Sequence, residues 1–349
     1  MSADLASAAA IDIHGHCVPQ SFLDEAVRTQ PFGVQAELTD GKYLVTFPGC
    51  KPLRPVAGIM LDTTDRSGWL AGQQVAHQVV APWLDIHGQD LPAADGARWV
   101  TLLNDALAGS LGGAEPAGQA GRAAGDGRPL SAHATLHLAD PDSAAAELVR
   151  AVRELGMRSA MIPASLPEGR LADRRFDALW AAAVELGVPI VLHPATKAPV
   201  NELMARYPAL NGLFGRQIDT TLTAAELIVA GVFDRHPALR LVLVHGGGFL
   251  PYQAARFDRD ARTDGEPRRI PSEVVRSLYY DTVLLSAAVV RFLLDCAGPG
   301  QVMVGSDFGA APRERSGAAV TAAVREASAD AATAGAVLAG NARRLFRLS

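Results

Sequence analysis

Two histidines one residue apart, His14 and His16 in Ile11-Asp12-Ile13-His14-Gly15-His16, are the first residues of the chain whose type and spacing permit chemistry. On a β-strand, residues i and i+2 face the same side, so both imidazoles can reach one metal ion. His193 ends the apolar run Val191-Leu192-His193 and is followed by Pro194. His245 ends Leu241-Val242-Leu243-Val244 and precedes three glycines, which let backbone approach closely. Asp307 ends Val302-Met303-Val304-Gly305-Ser306. Taken singly, the His14–His16 pair reads as well as two surface histidines at a polar strand end, and His193, His245 and Asp307 each read better as a buried polar group with its own partner. Taken together, four strand ends carrying ligand-type side chains point to a metal site. Imidazoles with one carboxylate suit Zn²⁺, the expected ion, and also Mn²⁺, Fe²⁺ or Co²⁺. The run ending Met161-Ile162-Pro163 offers no lysine for a bridging carbamate, so one ion is expected rather than two.

Such a site needs a fold that gathers strand ends. Eight strand candidates recur along the chain: Ala9–Ile13, His77–Trp83, Ala132–Leu138, Ser159–Pro163, Pro189–His193, Arg240–His245, Leu278–Thr282 and Val302–Ser306. Several are rich in Val, Ile and Leu, as strands buried on both faces are. Helical patterns lie between them. Ser143–Leu155 places Leu148, Val152 and Leu155 at helical spacing, and Phe176–Leu186 does the same with Phe176, Leu179, Ala183 and Leu186. Gly156 and Gly187 follow as helix stops, and each leads directly into a strand. Repeated βα units of this kind predict an α/β fold, a (β/α)8 TIM-type barrel, with an open doubly wound sheet as the alternative. In a barrel the C-terminal strand ends form the active-site mouth.

The whole chain, 1–349, reads as a single barrel domain with two additions. Residues 20–60 contain turn residues and short extended patches such as Tyr43–Phe47, read as a small insertion after strand one. Residues 109–129 are rich in Gly, Ala and Pro with almost no large apolar residue, and read as a flexible surface loop.

Composition narrows the function. With 349 residues, 49% hydrophobic and 20% charged, the chain is globular in type. A formal net charge of −5 leaves no basic surplus for phosphates, so no nucleic-acid partner is expected. No apolar run reaches the roughly 18 residues of a membrane span, and the N-terminal MSADLASAAA lacks the basic and apolar regions of a secretion signal. Cys17, Cys50 and Cys296 form neither a disulfide framework nor a metal knuckle, which fits a reduced, cytoplasmic setting.

The set Asp12-x-His14-x-His16, His193-Pro194, His245-Gly-Gly-Gly and Gly305-Ser306-Asp307 resembles the amidohydrolase superfamily. More narrowly it resembles the decarboxylase branch typified by 2-amino-3-carboxymuconate-6-semialdehyde decarboxylase. Leu53-Arg54-Pro55, the stretch from Gly231 to Pro237, and Arg256-Phe257-Asp258 extend the match. The resemblance implies His14, His16, His193 and Asp307 as ligands of one divalent metal, and His245 with Asp307 as catalytic acid/base groups beside a metal-bound water. It implies Arg54 and Arg256 as carboxylate binders, the second reaching across a homodimer interface. Two departures bear on the substrate: Ala195 follows His-Pro where the family often has an aromatic residue, and Phe308 is followed by Gly309.

The implied reaction is nonoxidative decarboxylation of an aromatic or unsaturated, muconate-like carboxylic acid. Protonation of the carbon bearing the carboxylate precedes loss of CO₂. The same site would serve metal-dependent hydrolysis of an amide, lactone or cyclic imide, or hydration of a double bond. A non-catalytic metal-binding role is the third reading. His87, His133 and His137 are further candidates near the mouth, Trp83 could stack on a planar substrate, and His77 and His236 read as structural.

Overall fold

The sheet closes. In the computed structural model, eight strands pair in parallel in the order β1 (Ala10–His16), β4 (Val75–Ala81), β5 (Leu130–Thr135), β6 (Ser159–Pro163), β7 (Ile190–His193), β8 (Leu241–Leu243), β9 (Tyr279–Asp281) and β10 (Val302–Met303). Residues 9–61, 63–111, 130–195, 197–260, 269–309 and 318–348 are described. Parallel bridges Asp12–Val304 and Gly15–Phe308 join the last strand to the first. The Ile13 N–H donates to the Val304 carbonyl at 2.9 Å and the Asp307 N–H to the His14 carbonyl at 2.8 Å. The fold is therefore the (β/α)8 barrel, and the open-sheet alternative falls.

The side chains alternate as a barrel requires. Ile11, Val79, Met161, Val191, Val242 and Met303 fill the interior, floored by Leu345 and Phe346 of the C-terminal helix. Val80, Ile162, Leu192 and Leu243 face outward against the helices. Asp140 caps the helix Pro141–Arg153, whose Pro sits in the first turn where its missing N–H costs nothing. Gly187, at φ 62°, closes the helix Asp177–Leu186.

Several observed borders differ from the sequence-based ones. β1 runs on through His16. β4 and β5 end at Ala81 and Thr135, before Trp83 and Leu138, and β10 ends at Met303, before Ser306. In each of the latter three, apolar residues continue past the ladder into packed turns, so an apolar run overstates strand length.

The 20–60 segment forms the helix Gln20–Thr29 and the antiparallel hairpin β2 (Gln35–Thr39) and β3 (Lys42–Thr46). Asp40 and Gly41, both at positive φ, make its two-residue turn. Its apolar face packs on the helix Ala93–Ser110 through Phe22 and Phe47, whose rings lie 4.8 and 5.5 Å from Trp99. That helix enters the 109–129 segment, of which residues 112–129 lie outside the described residues. Among the described residues no helix is long and apolar enough to cross a membrane.

Candidate metal centre

A bulge aims the first two histidines. Along β1 Asp12 faces Gln78 and Gly15 faces Val80, so three steps on β1 match two on β4. The extra residue shifts the alternation. Ile11 and Ile13 stay in the barrel interior, while His14 and His16 turn to the mouth above them. β7 delivers His193, and the turns after β8 and β10 deliver His245 and Asp307.

These five side chains meet. The His16 Nε2 lies 3.0 Å from Asp307 Oδ1, the His14 Nε2 3.4 Å from the same oxygen, and the His245 Nε2 3.5 Å from Asp307 Oδ2. The His193 ring centroid lies 5.2, 5.3 and 5.4 Å from those of His14, His16 and His245. One donor atom each from His14, His193, His245 and Asp307 fall within 4.8 Å of one another. Donors about 2.0–2.2 Å from one ion stand at most about 4.4 Å apart, so small side-chain movements suffice for shared coordination. His16 adjoins this group through Asp307.

The donor set fits a divalent cation. His14 Nδ1 donates to Asp281 Oδ2 at 2.7 Å, and His193 Nδ1 donates to the Pro194 carbonyl at 2.9 Å. Each bond fixes the tautomer and leaves a lone pair on Nε2. Both Nε2 atoms are buried with no hydrogen-bond partner. Burial, reinforced by the neighbouring imidazoles, holds His193 well below its ordinary pKa, and burial lowers His16. Burial pushes the Asp307 carboxyl up, but His14, His16 and His245 outweigh it and hold it well below the usual carboxylate range. Burial likewise pushes His14 down, and Asp307 and Asp281 more than offset it, so His14 is raised. The lowered His16 and His193 beside an ionised Asp307 match the protonation states a metal requires, and His14, which is raised, would release its proton when a cation binds.

Asp281 was not among the sequence candidates. It closes β9 and also accepts from the Gly246 N–H at 3.0 Å, linking His14 to the turn that carries His245. An acid at the end of a strand candidate was its only signal.

The remaining candidates separate. Arg54 stacks 4.3 Å from the Trp83 ring centroid with Nε 4.0 Å from Asp85, and 47% of its side chain is exposed. Burial lowers its pKa, and the Asp85 and Asp307 charges raise it while Arg216 opposes them. Arg256 lies away from the cluster on the helix Leu250–Asp260, 69% exposed and 3.7 Å from Asp260. His137 does not face the mouth, because β5 ends at Thr135 and the ring packs where a Cβ on Gly96 would sit. His133 is tied to Ser159 Oγ at 2.6 Å and the Ile13 carbonyl at 3.0 Å. His87 donates from Nε2 to the Pro82 carbonyl at 3.1 Å, beside His16. His77 bonds Ser131 and His236 bonds Asp177.

The decarboxylase orsB of Emericella nidulans is 38% identical over 139 residues, which is 38% of this chain and 42% of that protein. The chain thus spans less than half the length of the curated relative it matches. Among solved structures, 5-carboxyvanillate decarboxylase LigW from Sphingomonas paucimobilis aligns with a TM-score of 0.80 at 24% identity, covering 98% of this chain and 100% of that one. A dihydroxybenzoic acid decarboxylase from Polaromonas sp. JS666, with bound manganese, gives 0.76 at 20% identity over 97% of each chain. These likenesses establish the fold. The family described as amidohydrolase matches residues 84–348, well over half of the sequence, and the chain belongs to that family.

Proposed function

We propose that the chain is a metal-dependent decarboxylase of a small aromatic carboxylic acid. The observation that carries this reading is the convergence of His14, His16, His193, His245 and Asp307 in one barrel mouth. The decarboxylase names of its relatives support it. His14, His16, His193 and Asp307 would hold one divalent cation, Zn²⁺ on donor chemistry, with Mn²⁺ supported by the manganese in a structural neighbour. When bound, that cation supplies a Lewis acid that polarises substrate oxygens.

The chain's own groups do the rest. Arg54 pairs with the substrate carboxylate through its guanidinium fork. Trp83, which already carries Arg54 on its face, gives that fork a fixed plane. His245 holds a proton within reach of Asp307 and delivers it to the ring carbon bearing the carboxylate. That carbon becomes tetrahedral, the C–C bond breaks, CO₂ leaves, and the bonding pair returns to the ring. The net change is one proton taken up and one CO₂ released. Muconate-like acids could follow the same route, since their conjugation accepts the pair equally.

We further propose a homodimer. Phe249, Tyr252, Leu285, Val289 and Phe292 are large apolar side chains left exposed, and Tyr252 shares its helix with Arg256. A second copy over this surface would cover them and give Arg256 a site to reach.

The experiment is anaerobic incubation of the Mn²⁺- or Zn²⁺-loaded protein with hydroxybenzoates, muconate-type acids, lactones and cyclic imides. CO₂ release from an aromatic acid without added nucleotide is expected. Ring opening of lactones or imides without CO₂ would overturn the reading in favour of a hydrolase.

A further inference from the structure

Behind β1 lies a charged side chain that none of the chemistry above uses. Arg66, on the helix Thr63–Gly72, is fully buried. Its guanidinium donates to Gln78 Oε1 at 2.7 Å and, through a short bond, to the His16 carbonyl, and it lies 4.6 Å from the Phe308 ring centroid. Among the described residues no carboxylate pairs with it directly. Gln78 passes the interaction on, since its Nε2 donates to Asp12 Oδ2. Asp12, also fully buried, accepts from the His14 and Ser306 N–H groups, both at 3.0 Å, and from the Ser306 hydroxyl.

Four donors thus converge on one buried carboxylate, and the arginine stands one amide away. A buried cation and a buried anion each need compensation, and a polar chain of this kind supplies it for both. Its placement is more specific than stability requires. Asp12 precedes His14 and His16 by two and four residues, and Ser306 immediately precedes Asp307. Gly15 leaves room for the relay, because a Cβ there would lie 2.6 Å from the Gln78 amide. A metal site tolerates misplacement of only about 0.5 Å.

We propose that Arg66 is a positioning residue for the metal centre. Through the Gln78 amide it holds the Asp12 carboxylate, which sets His14 and His16 against Asp307. The inference rests on reading the histidine–aspartate cluster as a metal site.

The test is a double-mutant cycle over wild type, D12N, R66M and D12N/R66M. Mn²⁺ and Zn²⁺ affinity is read by chelator competition, and urea unfolding is read on the metal-free proteins. Each single variant is expected to weaken metal binding about 10- to 100-fold, the range for partners that orient metal ligands. The double variant is expected to bind no more weakly than the weaker single, because removing both charges leaves neither uncompensated. Should R66M fail to fold, D12N/R66M is expected to fold and bind. Single effects that multiply in the double variant would overturn the proposal, as would R66M lowering stability while leaving metal affinity unchanged, or a double variant that cannot fold. A wild-type protein that binds neither cation would instead sink the metal-centre reading, and this inference with it.

Discussion

Replacing Asp281 by Asn tests the metal centre through a residue that need not touch the ion. Asp281 Oδ2 accepts from His14 Nδ1 at 2.7 Å, while Oδ1 accepts from the Gly246 N–H at 3.0 Å and the Val283 N–H at 3.2 Å. An asparagine has one acceptor and one donor for those two faces. If its oxygen keeps the two backbone N–H groups, its NH₂ faces His14 and forces the tautomer that carries hydrogen on Nε2, the atom aimed at the cluster. If its oxygen turns to His14, two buried N–H groups face an NH₂, at a cost of about 1–3 kcal/mol each. The first orientation is cheaper for the metal-free protein, because every hydrogen bond survives. D281N should therefore change metal-free stability by less than about 1 kcal/mol. Metal affinity should fall about 10- to 100-fold, which is about 1.4–2.7 kcal/mol. Chelator competition measures the first quantity and urea unfolding of metal-free protein the second. A D281N protein that folds normally and binds metal within threefold of wild type would refute the assignment of His14 Nε2 as a ligand atom.

Two further perturbations divide the cluster. H193A is expected to lose the metal by elemental analysis, whereas H245A should keep it and lose turnover about 10²- to 10⁴-fold, the scale of a general acid. Because His245 has a ring nitrogen within the same 4.8 Å group, a metal-free H245A would move it into the ligand set. Acid should weaken the metal-free fold. Burial pushes His77 and His87 down to about 4 and His133 to about 3, so all three fold neutral. Unfolded histidines near 6.5 take up protons first, so stability is present above that value and is lost as pH falls below it. At pH 5.5 the loss is about 1.4 kcal/mol per histidine against neutral pH, or about 4 kcal/mol together. Urea unfolding at pH 7.5 and 5.5 reads this directly, and an unchanged midpoint would contradict the buried neutral state.

The legible part of the site was the part written at strand ends. His193, His245 and Asp307 each close an apolar run, His14 and His16 pair at i and i+2 on the first strand, and a parallel barrel puts such strand ends at one mouth whatever the loops do. His137 was misplaced for a related reason. Leu136 and Leu138 continue the apolar run beyond Thr135, and they pack into the outer core after the strand has ended. Asp281 was illegible because its role lies in a hydrogen bond from a histidine 267 positions earlier, and no local pattern encodes a tautomer. Arg66 left even less trace, since nothing in the sequence marks it off from the other 28 arginines in a chain with only three lysines.

The backbone beneath His245 carries a cost that the sequence did register. His245 has φ 54° and Asp307 φ 55°, in the left-handed region that side chains with a Cβ disfavour. The three glycines that follow His245 have φ 63°, 74° and 63°, and a Cβ on Gly248 would lie 2.3 Å from the Gln217 carbonyl oxygen. The turn therefore holds four consecutive residues at positive φ, and only the first is not glycine. A structural requirement alone would favour glycine there too. Retaining a side chain in αL costs roughly 1–2 kcal/mol relative to glycine, part of which glycine's greater unfolded-state entropy returns. Comparing H245G with H245A isolates that term, because both lack the imidazole. H245G should be the more stable of the two by about 1 kcal/mol in metal-free urea unfolding. Equal stability, or a more stable alanine variant, would show that the backbone relaxes out of αL once the imidazole is gone. The strain would then be imposed by the side chain's contacts with Asp307 and not by the turn.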